Sequence, residues 1–130
     1  MVHAGTKLLI VEDNVILRTT LSFIFLEYGY DVRSAADGFS ALVEIRREAP
    51  DVLLSDLNMP GMAGFELLSV VRRRFPEIRV IAMSGASSGD RVPPGVAADG
   101  FYEKGTGVER LLQFLRDRFG TEPPLEDREV

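Results

Sequence analysis

The chain has 130 residues and a hydrophobic content of 45%, enough for one domain that buries roughly two-thirds of its unfolded surface. A formal net charge of −5 argues against direct contact with nucleic acid, and the absence of cysteine excludes disulfides, thiol catalysis and cysteine-based zinc sites. The apolar run Leu8 to Val11 is too short for a signal peptide, and no stretch has the length of a membrane span, so a cytoplasmic location away from membranes is expected.

Lys7-Leu8-Leu9-Ile10-Val11 reads as a buried strand, with Glu12 and Asp13 directly at its carboxyl end. Asn14 to Tyr28 has helical periodicity, with Leu17, Leu21, Ile24 and Tyr28 on one face and Gly29 as the stop. Off that face, Ile16, Thr19, Phe23 and Leu26 form a second stripe at heptad-like spacing. The stripe is read as partly buried against the neighbouring last helix, with a docking or dimer surface as the alternative. Asp31 to Ala35 is a short strand, and Asp37-Gly38 turns into a helix with Phe39, Leu42, Val43 and Ile45 inward, ending before Pro50.

Val52-Leu53-Leu54-Ser55-Asp56 reads as a strand buried on both faces, which Met59-Pro60-Gly61 terminates. Gly64 opens a helix from Phe65 to Phe75 with Leu67, Leu68 and Val71 inward. Arg79 to Met83 is the fourth strand, ending at Ser84-Gly85, and Gly100 to Glu103 is a brief fifth. A crossover helix is due between them, but Pro93-Pro94 cannot sit inside one, so it is expected to be short, displaced or missing. Val108 to Phe119 is the last helix, with Leu111, Leu112 and Leu115 inward. Residues 1–119 thus form the domain, and the acidic stretch 120–130 with Pro123-Pro124 reads as a disordered end or linker.

Strands alternating with helices imply a parallel sheet covered by helices on both faces. Ligands bind such sheets at the carboxyl ends of the strands, where Glu12, Asp13, Asp56, Ser84 and Lys104 gather. A carboxylate closing a buried strand is costly unless it is paired, metal-bound or reactive. Carboxylates 4 Å apart repel by roughly 4 kcal/mol per pair at an effective dielectric near 20, so a cation must compensate. Oxygen ligands suit a hard divalent ion such as Mg²⁺. With Lys104 as a fixed positive charge and Ser84 as a hydroxyl, such a site is built to receive a phosphoryl group on Asp56.

On these residues the chain resembles a receiver domain, the phosphorylatable module of two-component response regulators, over Thr6 to Phe119. The resemblance rests on Leu9-Ile10-Val11-Glu12-Asp13, Asp56-Leu57-Asn58-Met59-Pro60-Gly61, Ala82-Met83-Ser84-Gly85 and Phe101-Tyr102-Glu103-Lys104. It implies a flavodoxin-like α/β fold with a five-stranded parallel sheet of order 2-1-3-4-5 and five helices. It also implies that Asp56 takes phosphate from a histidine kinase or histidine phosphotransfer protein. Glu12, Asp13, Asp56 and the backbone carbonyl of Asn58 would hold Mg²⁺, and Lys104 and Ser84 would bind the phosphoryl group. Ser84 and Phe101 would rearrange as the switch. The implied output is a change of protein contacts, made with a downstream target, an output domain outside this chain or a second copy. The chain is thus expected to be a signalling switch that catalyses only its own phosphorylation and dephosphorylation.

The departures are specific. Gly105 follows Lys104 where receivers usually carry proline, so that turn must be set otherwise. Ala63 stands where an acidic or small polar residue is common, and the fourth-helix face, often used for output, is irregular. Ala86, two places after Ser84, offers no polar side chain to align a water, so slow self-dephosphorylation is expected. Two other readings stay open: a degenerate receiver acting through phosphorylation-independent contacts, and a Mg²⁺-dependent phosphatase working through an aspartyl phosphate. The phosphatases typically carry a D-x-D motif on their first strand, whereas Asp56 lies on the third.

Overall fold

Five strands and four helices follow one another among the described residues. They are β1 (Lys7–Val11), α1 (Val15–Glu27), β2 (Asp31–Ala35), α2 (Gly38–Arg47), β3 (Val52–Asp56), α3 (Gly64–Arg74), β4 (Arg79–Ser84), β5 (Gly100–Glu103) and α4 (Val108–Phe119). The structure, a computed structural model, describes residues 5–59, 64–85 and 95–119. Every strand pairing is parallel and the order is β2-β1-β3-β4-β5, the expected architecture. No helix among the described residues is long and apolar enough to cross a membrane.

Strand position follows composition. β3 lies at the centre with all five of its residues buried, and β2, with its polar Asp-Val-Arg-Ser-Ala sequence, lies at an edge. The period-two alternation of the strands divides the core in two. Leu9, Val11 and Leu53 pack with Ala41, Ile45, Leu67, Leu68 and Val71 of α2 and α3 on one face. Leu8, Ile10, Val52 and Leu54 pack with Leu21, Phe25, Leu111, Leu112 and Leu115 of α1 and α4 on the other.

Two helices are rotated from their expected faces. In α1 the buried residues are Leu21 and Phe25; Leu17 and Tyr28 are half-buried against the core, and Ile24 is half-buried. Ile24 and Phe25 lie three and four positions after Leu21, so helical spacing admits either. The ring of Phe25 decides it by packing edge-on to Tyr30 with centroids 5.1 Å apart. In α2, Ala41 and Ile45 are buried and Leu42 is half-buried, while Phe39 and Val43 are 63% and 57% exposed. The small Ala41 lets that helix approach the sheet, which a reading by apolar size passes over.

The second stripe of α1 is not covered by α4: Ile16, Phe23 and Leu26 are 77%, 64% and 55% exposed, and Thr19 is exposed too. α4 reaches the shared core through Leu111, Leu112 and Leu115, on the side of Leu21 and Phe25, which leaves the stripe facing outward. β4 runs one residue further than expected, to Ser84, which pairs with Glu103. The chain from Gly95 to Asp99 is not helical. Pro93-Pro94, Ala86, Ala63 and the tail 120–130 lie outside the described residues.

Candidate functional site

Because the strands are parallel, their carboxyl ends share one edge of the sheet. Register steps the chain along it: Val11 pairs with Ser55, Asp56 with Met83, and Ser84 with Glu103. Just past these pairs lie Glu12, Asp13 and Lys104. Two further main-chain bonds extend the ladder beyond the strands, from Leu57 N to Met83 O at 2.8 Å and from Lys104 N to Ser84 O at 2.9 Å. The side chains that converge are therefore placed by rigid backbone.

Glu12 and Asp56 are each 1% exposed, and Asp13 is exposed. Lys104 Nζ donates to Asp56 Oδ2 at 3.0 Å and stands 3.0 Å from Glu12 Oε1. The second contact has ion-pair distance but not the alignment of a hydrogen bond, so the buried Glu12 Oε1 accepts none. The other carboxylate oxygens are held by main-chain donors, Asn14 N to Glu12 Oε2 and Asn58 N to Asp56 Oδ1, both at 3.0 Å. The Asn58 side chain donates from Nδ2 to Ser84 Oγ at 3.4 Å.

One oxygen each from Glu12, Asp13 and Asp56 lies within 4.8 Å of the others. Burial pushes the Glu12 carboxyl above its ordinary range against the pull of the Asn14 N–H and Lys104, and the nearby Asp56 charge adds to the rise. Burial opposes the Lys104 ammonium, but its close contacts with Glu12 and Asp56 and their charges outweigh this and hold it above its usual value. Among the described residues three carboxylates face one ammonium, with the Arg18 guanidinium bonded to the Glu12 carbonyl, which leaves an excess of negative charge. Hard oxygen donors, that excess and the Glu12 oxygen without a hydrogen bond fit a divalent cation of the Mg²⁺ class.

The structure thus brings together Glu12, Asp13, Asp56 and Lys104, with Ser84 joined to them through Asn58. Phe101 stands apart: it is half-buried against the α2–α3 core and lines a separate cavity of about 250 Å³ with Tyr102, Arg110 and Phe114 among others. Two contributors escaped the sequence reading. Arg18 of α1 donates from Nη1 to the Glu12 carbonyl at 2.7 Å, pinning the acidic loop, and the Asn58 carboxamide reaches Ser84. The turn after Lys104 is set by Gly105, at φ 89°, with Thr106 donating to Glu103 O from both N and Oγ1. Its left-handed backbone is one that glycine adopts freely.

The comparisons with known proteins agree with this geometry. The chain is 39% identical over 87 residues to response regulator protein FleR of Pseudomonas aeruginosa, an alignment covering 67% of this chain and 18% of FleR. It is 37% identical over 86 residues to sporulation initiation phosphotransferase F of Bacillus subtilis, covering 66% of this chain and 69% of that one. It therefore spans less than a fifth of FleR's length but about two-thirds of the Bacillus protein's. The fold matches chemotaxis response regulator CheY4 of Vibrio cholerae with a TM-score of 0.78 and 31% identity, over 87% of this chain and 98% of that one. Residues 8–116 match the response regulator receiver domain family. The matched span runs from the second residue of β1 into the last turns of α4, and this chain belongs to the receiver-domain family of two-component response regulators.

Proposed function

We propose that Asp56 accepts a phosphoryl group from a histidine kinase or histidine phosphotransfer protein, and that the added charge switches protein contacts. The observation that carries this reading is a buried carboxylate at the end of the central strand, gripped by Lys104 and Asn58 N and crowded by Glu12 and Asp13. Relatives named as response regulators and as a phosphotransferase support it.

Asp56 attacks phosphorus in line, the new O–P bond forms as the donor's N–P bond breaks, and the electron pair leaves with the donor imidazole, which takes up a proton. Asn58 N–H and Lys104 Nζ fix the carboxylate, so little orientation is lost at the moment of attack. Lys104 then neutralises charge on the transferred group, and the Ser84 hydroxyl bonds one of its oxygens. Glu12, Asp13, Asp56 and the Asn58 carbonyl are the residues that would hold Mg²⁺, which when bound neutralises phosphoryl oxygens. Ser84 and Phe101, on the adjacent strands β4 and β5, carry the change outward.

In this reading residues 1–119 are a cytoplasmic signalling switch, not a metabolic enzyme. Its output partner is a protein target, an output domain or a second copy, without direct contact to nucleic acid or membrane. Intact-mass measurement after incubation with a small acyl phosphate tests it. One phosphoryl group should be added, needing both Mg²⁺ and Asp56 and absent in Asp56→Asn. An unmodified chain that also fails to bind Mg²⁺ would favour the phosphorylation-independent interaction module.

A further inference from the structure

Lys104 follows directly on β5, and its main chain is held from both sides. Its N–H donates to Ser84 O at 2.9 Å, which ties it to the end of β4. Just beyond it the chain turns back: Thr106 N donates to Glu103 O at 3.3 Å, closing a four-residue turn with Lys104 and Gly105 at its centre. Gly105 has φ 89°, and among the described residues only glycines have positive φ. That is the pattern of a type II turn, and it places Lys104 at the first corner. The main-chain closure is long for an N–H donor, but Thr106 Oγ1 donates to the same Glu103 carbonyl at 2.7 Å. Thr106 is half-buried, and α4 begins only at Val108, so its hydroxyl bonds back to the strand and not forward to the helix. From this corner the lysine stem carries Nζ to 3.0 Å from both Asp56 Oδ2 and Glu12 Oε1.

We propose that Thr106 is a positioning residue for Lys104: its hydroxyl closes the turn that aims the ammonium at Asp56, so the lysine is in place before a phosphoryl group arrives. The proposal rests on the reading of Asp56 as the phosphoacceptor. The dihedrals of a turn corner set the direction of its Cα–Cβ bond, and the flexible four-carbon stem of lysine carries any change there out to the charge. A turn already closed leaves less of the stem to be ordered when the lysine meets the transferred group. Without the hydroxyl the longer N–H bond closes the turn alone, and the ordering falls on the transfer step. Thr106→Val keeps the branched shape and removes the hydroxyl donor. A neutral hydrogen bond of this kind is worth a factor of roughly two to ten. The substitution changes no charge, so the acidic cluster keeps its electrostatics.

Two measurements test it on the full chain, Thr106→Val and Thr106→Ser, the serine restoring a hydroxyl without the methyl group. The first is ¹⁵N relaxation of the Lys104 ammonium in metal-free buffer, its signal assigned by loss in Lys104→Met. The ammonium should be well ordered in the unaltered chain and in Thr106→Ser, and looser in Thr106→Val. Equal order in all three overturns the positioning role. The second is the rate of phosphoryl gain, by intact mass, with a small acyl phosphate and Mg²⁺. Thr106→Val should be roughly two- to tenfold slower and Thr106→Ser close to the unaltered chain. In the Lys104→Met background Thr106→Val should bring no further slowing. The same slowing with and without Lys104 overturns the proposal, because the hydroxyl would then act on the fold and not through the lysine. A looser ammonium with an unchanged rate overturns it as well. If the unaltered chain gains no phosphoryl mass, the phosphoacceptor reading itself fails, and ammonium order alone then decides whether Thr106 places Lys104.

Discussion

Exchanging Lys104 for methionine keeps the length of the side chain and removes its charge. The lysine sits 3.0 Å from Glu12 Oε1 and 3.0 Å from Asp56 Oδ2, and those side chains are only 1% and 2% exposed against 25% for Lys104. Without it, three carboxylate oxygens within 4.8 Å face one another uncompensated. At that separation and an effective dielectric near 20, each like-charge pair is worth about 3.5 kcal/mol of repulsion. Removing one member of a buried ion pair costs about 3–5 kcal/mol, and the partial exposure of Lys104 reduces this to about 2–3 kcal/mol in metal-free buffer. The loss carries a pH signature. Glu12 is raised above 4.5 by burial, so the folded protein holds its proton more tightly than the unfolded chain does. Stability therefore falls as pH climbs from the unfolded value through the raised folded one, and levels off above it. Losing Lys104 lifts the folded value further and deepens the fall. Urea unfolding in chelator at pH 5 and pH 8 should show a larger gap between Lys104→Met and the unaltered chain at pH 8, and Mg²⁺ should narrow it. Equal gaps at the two pH values, or no loss at pH 8, would refute this electrostatic account.

The phase of α1 predicts opposite outcomes for near neighbours. Phe25→Ala should cost about 3–5 kcal/mol, whereas Phe23→Lys should stay within about 0.5 kcal/mol, both by urea unfolding. A Cβ on Gly100 would stand 2.2 Å from Phe114 Cζ, so Gly100→Ala forces that ring aside and should cost about 1–3 kcal/mol. Adding Phe114→Leu should recover part of the loss, and a melt unchanged by Gly100→Ala would contradict the close approach. Asp37 caps α2 and is held below its usual 3.8 by the Ser40 N–H. Its contribution is complete above 3.8 and fades as pH falls through the depressed folded value. Asp37→Asn keeps the cap without that acid-sensitive step, and acid unfolding curves of the two proteins should diverge only at low pH.

The sheet and the acid–lysine cluster were legible because each rests on chain order alone. Apolar runs that end on Glu12, Asp56 and Ser84, joined by crossovers of one hand, leave little choice in which ends meet. Side-chain orientation on helices was less legible. Ile24 and Phe25 satisfy the same spacing, and only Tyr30, brought in from the start of β2, selects between them. Ala41 was passed over because its burial reflects closeness of approach, not hydrophobic bulk. Arg18 and the Asn58 carboxamide bond a carbonyl and a hydroxyl whose positions exist only after folding, so nothing in their spacing announces them. The outward stripe of α1 shows the same limit, since apolar spacing marks a face but does not name what it meets.

The cluster joins parts of the fold with unequal hold on the sheet. Asp56 ends the central strand, paired on both sides and buried throughout, while Lys104 follows a four-residue strand paired on one side only. Local opening at β5 withdraws the lysine while the strand bearing Asp56 keeps its pairing with β1 and β4. Amide hydrogen exchange should therefore be slow at Leu54, tracking global unfolding, and faster at Tyr102. A phosphoryl group gripped by Lys104 would bind the loose margin of the sheet to its most protected strand. Protection would then rise mainly at β5, so that charge added at the centre is registered as order at the periphery.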